Sequence, residues 1–266
     1  MGPFGIGQPL ERFEDARLLR GEGRFIHDQH AAGEAQLVLL RSPHAHARIR
    51  SVDLEAARRM PGVVALFTGE DLAADGLGTP EVSFQRKRPD GSPMFWRAHP
   101  GLARERVRYV GDPVVAVVAE SIALAKDAAE AVAIDYEDLP AVTETAAAEG
   151  GAPVWDECPD NVSNVFEVGD AGATDAAFAR AARIVKGRYA ISRVHAQFME
   201  PRGALGEYDP QSGSYTLRLD VQYPHRVRDM LASRIFKVPA DKIRTIAGDV
   251  GGAFGAKGWT SHEHRL

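Results

Sequence analysis

The chain has 266 residues, enough for one large or two ordinary domains, and its 44% hydrophobic and 26% charged content can bury a sizeable core. A formal net charge of −5 with scattered basic residues argues against a nucleic-acid surface. One cysteine, Cys158, rules out an internal disulfide and an iron–sulfur cluster held by several cysteines of this chain, and beside Pro159 it reads as inert. No apolar run is long enough for a membrane helix. The segment Met1-Gly2-Pro3-Phe4-Gly5 lacks a basic start and a long apolar stretch, so no export signal and a cytoplasmic location are expected.

In chain order, residues 35–40 form a short apolar run that predicts a buried strand. Residues 54–60 predict a short helix stopped by Pro61-Gly62, and 63–67 a strand ended by Thr68-Gly69. Residues 76–99 are polar and rich in Gly and Pro, an irregular insertion whose Arg86-Lys87-Arg88 reads as a solvated loop. Residues 113–119 predict a strongly buried strand, and Ser121 caps a helix carrying Leu124, Ala125, Ala128, Ala129 and Val132 at helical spacing. A strand at 134–136 follows. After a Gly- and Pro-containing linker at 142–164, residues 175–182 predict a helix with Asp175 as its cap, and 184–192 and 203–208 predict strands. Asp209-Pro210-Gln211-Ser212-Gly213 is a hairpin turn. The alternating run 215–223 predicts a half-buried strand. Pro224 opens a helix with Val227, Met230, Leu231 and Ile235 on one face, and a strand at 242–247 leads into a loop dominated by glycine.

That loop, Asp249-Val250-Gly251-Gly252-Ala253-Phe254-Gly255-Ala256-Lys257-Gly258, places four glycines around one aromatic. Glycine lets a backbone approach another group closely and adopt positive φ. A strand followed by such a loop offers backbone N–H groups to a phosphate or an oxo anion. The loop is not a Walker A loop, because Ala256 precedes Lys257 and Gly258 follows it. A tight turn is the other reading.

The segment Gly251-Gly252-Ala253-Phe254-Gly255-Ala256-Lys257 resembles the first pterin-binding signature in the large subunit of molybdenum hydroxylases, the family of xanthine dehydrogenase, aldehyde oxidase and carbon monoxide dehydrogenase. Further matches occur in that family's order. They are Ile6-Gly7-Gln8-Pro9, Arg12-Phe13-Glu14-Asp15, Arg17-Leu18-Leu19-Arg20-Gly21 and Gly23-Arg24-Phe25 at the start. Then come Arg41-Ser42-Pro43-His44-Ala45-His46-Ala47-Arg48-Ile49, the run from Tyr109 to Ala119, Met199-Glu200-Pro201-Arg202 and Val221-Gln222.

The resemblance implies an α+β chain: an N-terminal segment at 1–19, an α/β hammerhead domain at 20–140, a linker at 141–163, and the start of a molybdenum-cofactor-binding domain at 164–266. It implies a molybdenum–molybdopterin cofactor, possible in a cytosine dinucleotide form, with iron–sulfur and FAD centres on a small and a medium partner subunit. The parent activity would be hydroxylation of an aldehyde or N-heterocycle with water as oxygen source. The family's catalytic glutamate is expected beyond Leu266, so no residue here is assigned as the base, and the chain would need the remaining large-subunit region. The rival reading is a truncated remnant or interaction module without cofactor.

By the same resemblance, Gly251, Gly252, Ala253, Phe254 and Gly255 line the cofactor, with Phe254 beside the metal's ligand sphere. Gln222 matches a glutamine whose neutral amide donates to an oxo group. A left-handed backbone at Ala253 would cost about 1 kcal/mol. Alternatives remain: Phe254 as an apolar plug and Gln222 as an ordinary strand-end residue. Glu200 and Arg202 look like a catalytic pair, but a structural ion pair or brace is the preferred reading. The spacing of His44 and His46 would point both rings to one face of a strand. With His195 and His225 they suggest no set of three ligands, so no histidine metal site is expected. His262 and His264 read as an exposed tail.

Overall fold

The computed structural model describes residue 7 and residues 9–82, 84–192 and 194–266. Of the first matched motif, Ile6 and Gln8 therefore lie outside the described residues. Contacts divide the chain into two units, one joining the N-terminal segment up to Glu34 with Ala196–Leu266, the other formed by Ala35–His195. The N-terminal segment carries helix α1 (Asp15–Leu19) and a 3-10 turn at Ile26–Asp28.

The unit Ala35–His195 contains two three-stranded antiparallel sheets. Its elements begin with β1 (Gln36–Arg41), β2 (Ala47–Asp53), α2 (Glu55–Arg58), β3 (Val63–Thr68), α3 (Gly69–Ala74) and β4 (Arg106–Val107). Strands β5 (Pro113–Ala119) and β6 (Ala133–Asp138) flank helix α4 (Ile122–Glu130). The strand orders are β1-β5-β3 and β4-β2-β6. Strand β5 is central, pairing Val117 with Val38 on one side and Leu66 on the other, which explains its unbroken apolar sequence. Ser121 caps α4 by accepting the Leu124 N–H at 3.3 Å. The helix buries Ala125, Ala128 and Ala129 in a core with Val114, Val115, Val117 and Val107. Strand β4 has two residues, too few for a periodic signal, and α1 and α3 also escape the sequence reading.

The segment read as a linker is ordered by polar contacts. It contains α5 (Thr145–Ala148), and the Asn161 side-chain amide donates to the carbonyls of Ala148 and Ala152 at 2.9 and 3.0 Å. Arg106 pairs with Asp156 through two bonds of 2.9 Å, and Arg108 stacks 3.5 Å from the Trp155 ring centre.

Two expectations for this unit need correction. The helix expected at 175–182 is α6 (Ala171–Arg180), and its cap is Asp170, whose Oδ1 accepts the Ala173 N–H at 2.8 Å. Asp175 lies within the helix. The strand expected at 184–192 does not form: Val185 and Ile191 are 94% exposed and Tyr189 is 89% exposed. Alternation specifies a strand only when an edge is present to pair with it, and none pairs with this segment among the described residues.

The other unit holds a mixed sheet of order β7-β8-β9. Strands β7 (Ala204–Asp209) and β8 (Ser214–Leu219) form an antiparallel hairpin through the predicted turn. Strand β9 (Ile243–Ile246) runs parallel to β8. The crossover between them is helix α7 (Pro224–Met230), with Pro224 in its first turn as expected, continuing into a wider π-type turn at Leu231–Phe236. Val227, Leu231, Ala232 and Ile235 pack on Leu217, Leu219 and Ile243. Strand β8 stops at Leu219, short of the expected 223, so Asp220 and Gln222 lie on the irregular chain beyond it.

Candidate functional site

The glycine loop leaves β9 at the end of the sheet. Its first anchor is Asp249, whose carboxylate accepts two bonds from the Arg17 guanidinium at 2.6 and 2.7 Å and the Arg24 N–H at 2.7 Å. The Arg17 guanidinium, aided by the Arg24 N–H, holds the Asp249 carboxyl down at about 2. The N-terminal motif and the loop, more than two hundred residues apart, are thus tied by one carboxylate.

Behind the loop lies a buried charge cluster. The Lys257 ammonium meets Glu200 Oε2 at 2.8 Å, the Glu200 carbonyl at 2.9 Å and Asp220 Oδ2 at 2.7 Å. Glu200 also accepts the Ile26 N–H at Oε1 (3.1 Å) and the Gly251 N–H at Oε2 (2.7 Å). Asp220 accepts the Gly203 N–H at 3.3 Å, and His264 Nε2 lies 3.5 Å from its Oδ1. Burial pushes the Asp220 carboxyl upward, but His264, Lys257 and the Gly203 N–H outweigh it and leave it below the usual range. The loop's lysine is therefore turned inward, and its charge is spent on carboxylates.

Gly252, Phe254 and Gly255 have φ of 97°, 49° and 86°, whereas Gly251 and Ala253 lie on the ordinary side. Alternating hands of this kind turn successive N–H groups towards one side, an anion-binding concavity. The N–H groups of Gly252, Ala253, Phe254 and Gly255 have no acceptor among the described residues, while Ala256 and Gly258 close turns onto Ala253 and Gly255. The left-handed residue is Phe254 rather than Ala253. The residue is 77% exposed and plugs no core. Gln222 is exposed beside the loop, its backbone N–H donating to the Lys257 carbonyl at 3.0 Å. A Cβ placed on Gly258 would lie 3.8 Å from Gln222 Oε1.

All six residues expected to line a cofactor, Gln222 and 251–255, thus occupy one neighbourhood. The donor set suits a group rich in acceptor oxygens, because preorganised N–H groups and a neutral amide meet such oxygens without reorganising. Glu200 is a brace, as preferred, but its partner is Lys257. Arg202 is exposed, with its guanidinium 5.9 Å from the Phe198 ring centre. The sequence reading missed Lys257 and Asp220 as site residues, and a lysine inside a non-phosphate glycine loop was the available signal. His264 is buried against Asp220, contrary to the expected exposed tail. His46 sits on the Pro140 carbonyl at 2.9 Å and His44 on Asp138 at 2.6 Å. Burial and the neighbouring Asp160 push the Cys158 thiol up.

Residues 20–140 match the family described as aldehyde oxidase and xanthine dehydrogenase, a/b hammerhead domain, and residues 154–265 match the molybdopterin cofactor-binding domain. The nicotine 6-hydroxylase large subunit of Paenarthrobacter nicotinovorans is 37% identical over 98% of this chain and 31% of its own length. The carbon monoxide dehydrogenase large chain of Afipia carboxidovorans is 33% identical over 95% of this chain and 32% of its own. The crystal structure of quinoline 2-oxidoreductase from Pseudomonas putida 86 superposes with a TM-score of 0.84 at 37% identity, over 95% of this chain and 31% of that one. The chain spans about a third of the length of these relatives. Hammerhead fold, cofactor-binding domain and near-complete coverage agree: the chain belongs to the molybdenum hydroxylase family of aldehyde oxidase and xanthine dehydrogenase, as a portion of its large subunit.

Proposed function

We propose that Gln222, Gly251, Gly252, Ala253, Phe254 and Gly255 form part of the seat of a molybdenum–molybdopterin cofactor in an oxidoreductase that hydroxylates an aldehyde or N-heterocycle using water. The observation that carries this reading is the row of four N–H donors without an acceptor among the described residues, beside an exposed glutamine. When bound, the cofactor supplies the redox-active metal at which substrate is oxidised. The N–H groups hold its acceptor oxygens, the Gln222 amide donates without adding charge, and the Phe254 ring shields one flank from water. Two relatives are named for nicotine and quinoline, both N-heterocycles, which favours that substrate class. We further propose the cytosine dinucleotide form of the pterin, the remaining large-subunit region, and small and medium subunits carrying iron–sulfur and FAD centres. No residue of this chain is proposed as the base.

Molybdenum content by plasma mass spectrometry tests the reading. Near-stoichiometric metal in the chain purified with its large-subunit remainder and partner subunits is the expected result. Absence of metal from that assembly would leave a cofactor-free interaction module.

A further inference from the structure

We propose that Glu200, Lys257 and Asp220 act as a positioning clamp that sets the register of the glycine loop and of Gln222 together. The side chains of Lys257, Glu200 and Asp220 are only 1%, 5% and 0% exposed. A buried ammonium is tolerated only when charge and hydrogen bonds compensate it, and here two carboxylates and a carbonyl do so. Such a cluster contributes little net stability compared with a well-packed apolar one, so its use lies in the geometry it imposes.

That geometry is specific. One Glu200 oxygen, Oε2, takes both the Gly251 N–H and the Lys257 ammonium, so the two ends of the loop grip a single atom. The N–H groups of Gly252, Ala253, Phe254 and Gly255, which have no acceptor among the described residues, lie in sequence between these two grips. Lys257 then reaches Gln222 in two ways. Its ammonium pairs with Asp220, two residues upstream, and its carbonyl accepts the Gln222 N–H at 3.0 Å. The Ile26 N–H on Oε1 adds the N-terminal segment to the same carboxylate. A shift of the carboxylate would move the donors and the glutamine amide together. These are positioning residues, and the clamp concerns how the chain holds its own loop whether or not a cofactor is bound.

Hydrogen–deuterium exchange on the assembled protein tests the clamp, with Glu200→Gln and Asp220→Asn compared with the parent. The bonded amides of Gly251, Ala256, Gly258 and Gln222 are the reporters, and the β7–β8 hairpin is the control. Glu200→Gln should speed exchange at the reporters by roughly tenfold or more and leave the hairpin unchanged. Asp220→Asn, which keeps volume and an acceptor for Gly203, should give the same pattern more weakly, and it decides the matter if Glu200→Gln does not fold. Equal acceleration of loop and hairpin, or none in either, would overturn the clamp. Molybdenum content is read on the same samples. Faster loop exchange with unchanged metal would uphold the clamp and remove the loop from the cofactor seat.

Discussion

Gly251 and Glu200 hold each other reciprocally: the Gly251 N–H donates to Glu200 Oε2 at 2.7 Å, and the Glu200 N–H donates to the Gly251 carbonyl at 3.3 Å. A Cβ on Gly251 would lie 2.5 Å from Glu200 Cβ, closer than atoms pack. Gly251→Ala should therefore cost about 1–3 kcal/mol by overpacking and should lower molybdenum content. Thermal unfolding checks this, and an unchanged melting temperature would contradict the close approach.

Phe254 is strained where Gly251 is crowded. Its φ of 49° is left-handed, and the residue is 77% exposed. Phe254→Gly should raise stability by up to about 1 kcal/mol, because the Cβ penalty disappears and little packing is lost. The same change should reduce metal retention by removing the ring beside the seat. Denaturant unfolding separates the two effects, and a clear loss of stability would show that the ring packs where it is described as exposed.

Lys257→Met leaves the Glu200 and Asp220 carboxylates without their cation. Breaking such a buried cluster from one side should cost about 3–5 kcal/mol. Added to Glu200→Gln, the same substitution should cost less than on its own, with a coupling of about 1 kcal/mol or more in a double-mutant cycle. Strict additivity would mean that the two side chains do not share one interaction.

Acid should loosen the tie between the N-terminal segment and the loop. The folded Asp249 carboxyl lies at about 2, below its ordinary 3.8, so the tie contributes above the unfolded value and is lost as pH falls through about 2. Arg17→Gln should raise the Asp249 pKa and move acid unfolding to higher pH. Melting curves should differ between parent and variant at about pH 5 and converge near about pH 2. A constant difference across that range would assign the effect to another group.

Gln222→Ala keeps the backbone bond to the Lys257 carbonyl and removes only an exposed amide. The melting temperature should stay within the range of ordinary surface substitutions, about 0.5 kcal/mol. Turnover by the assembled enzyme should fall by about tenfold or more if the amide donates to developing charge. Full activity would remove Gln222 from the proposed seat.

Short-range order was legible in the chain itself. The valine run of β5, the Ser121 cap, the Asp209–Gly213 turn and the proline opening α7 follow from local sterics and hydrogen bonding, which act over a few residues. The family motifs also marked the glycine loop and Gln222 as a pair. Tertiary structure decided what depends on a distant partner. Whether 184–192 forms a strand depends on an edge to pair with, and that alternating segment remains exposed. The direction of Lys257 depends on Glu200 and Asp220, which are 57 and 37 positions upstream. Local pattern carries no record of such separations. A buried charge goes wherever folding brings its counter-charge, and that contact turns the loop's lysine inward, while the backbone donors of 252–255 have no acceptor among the described residues.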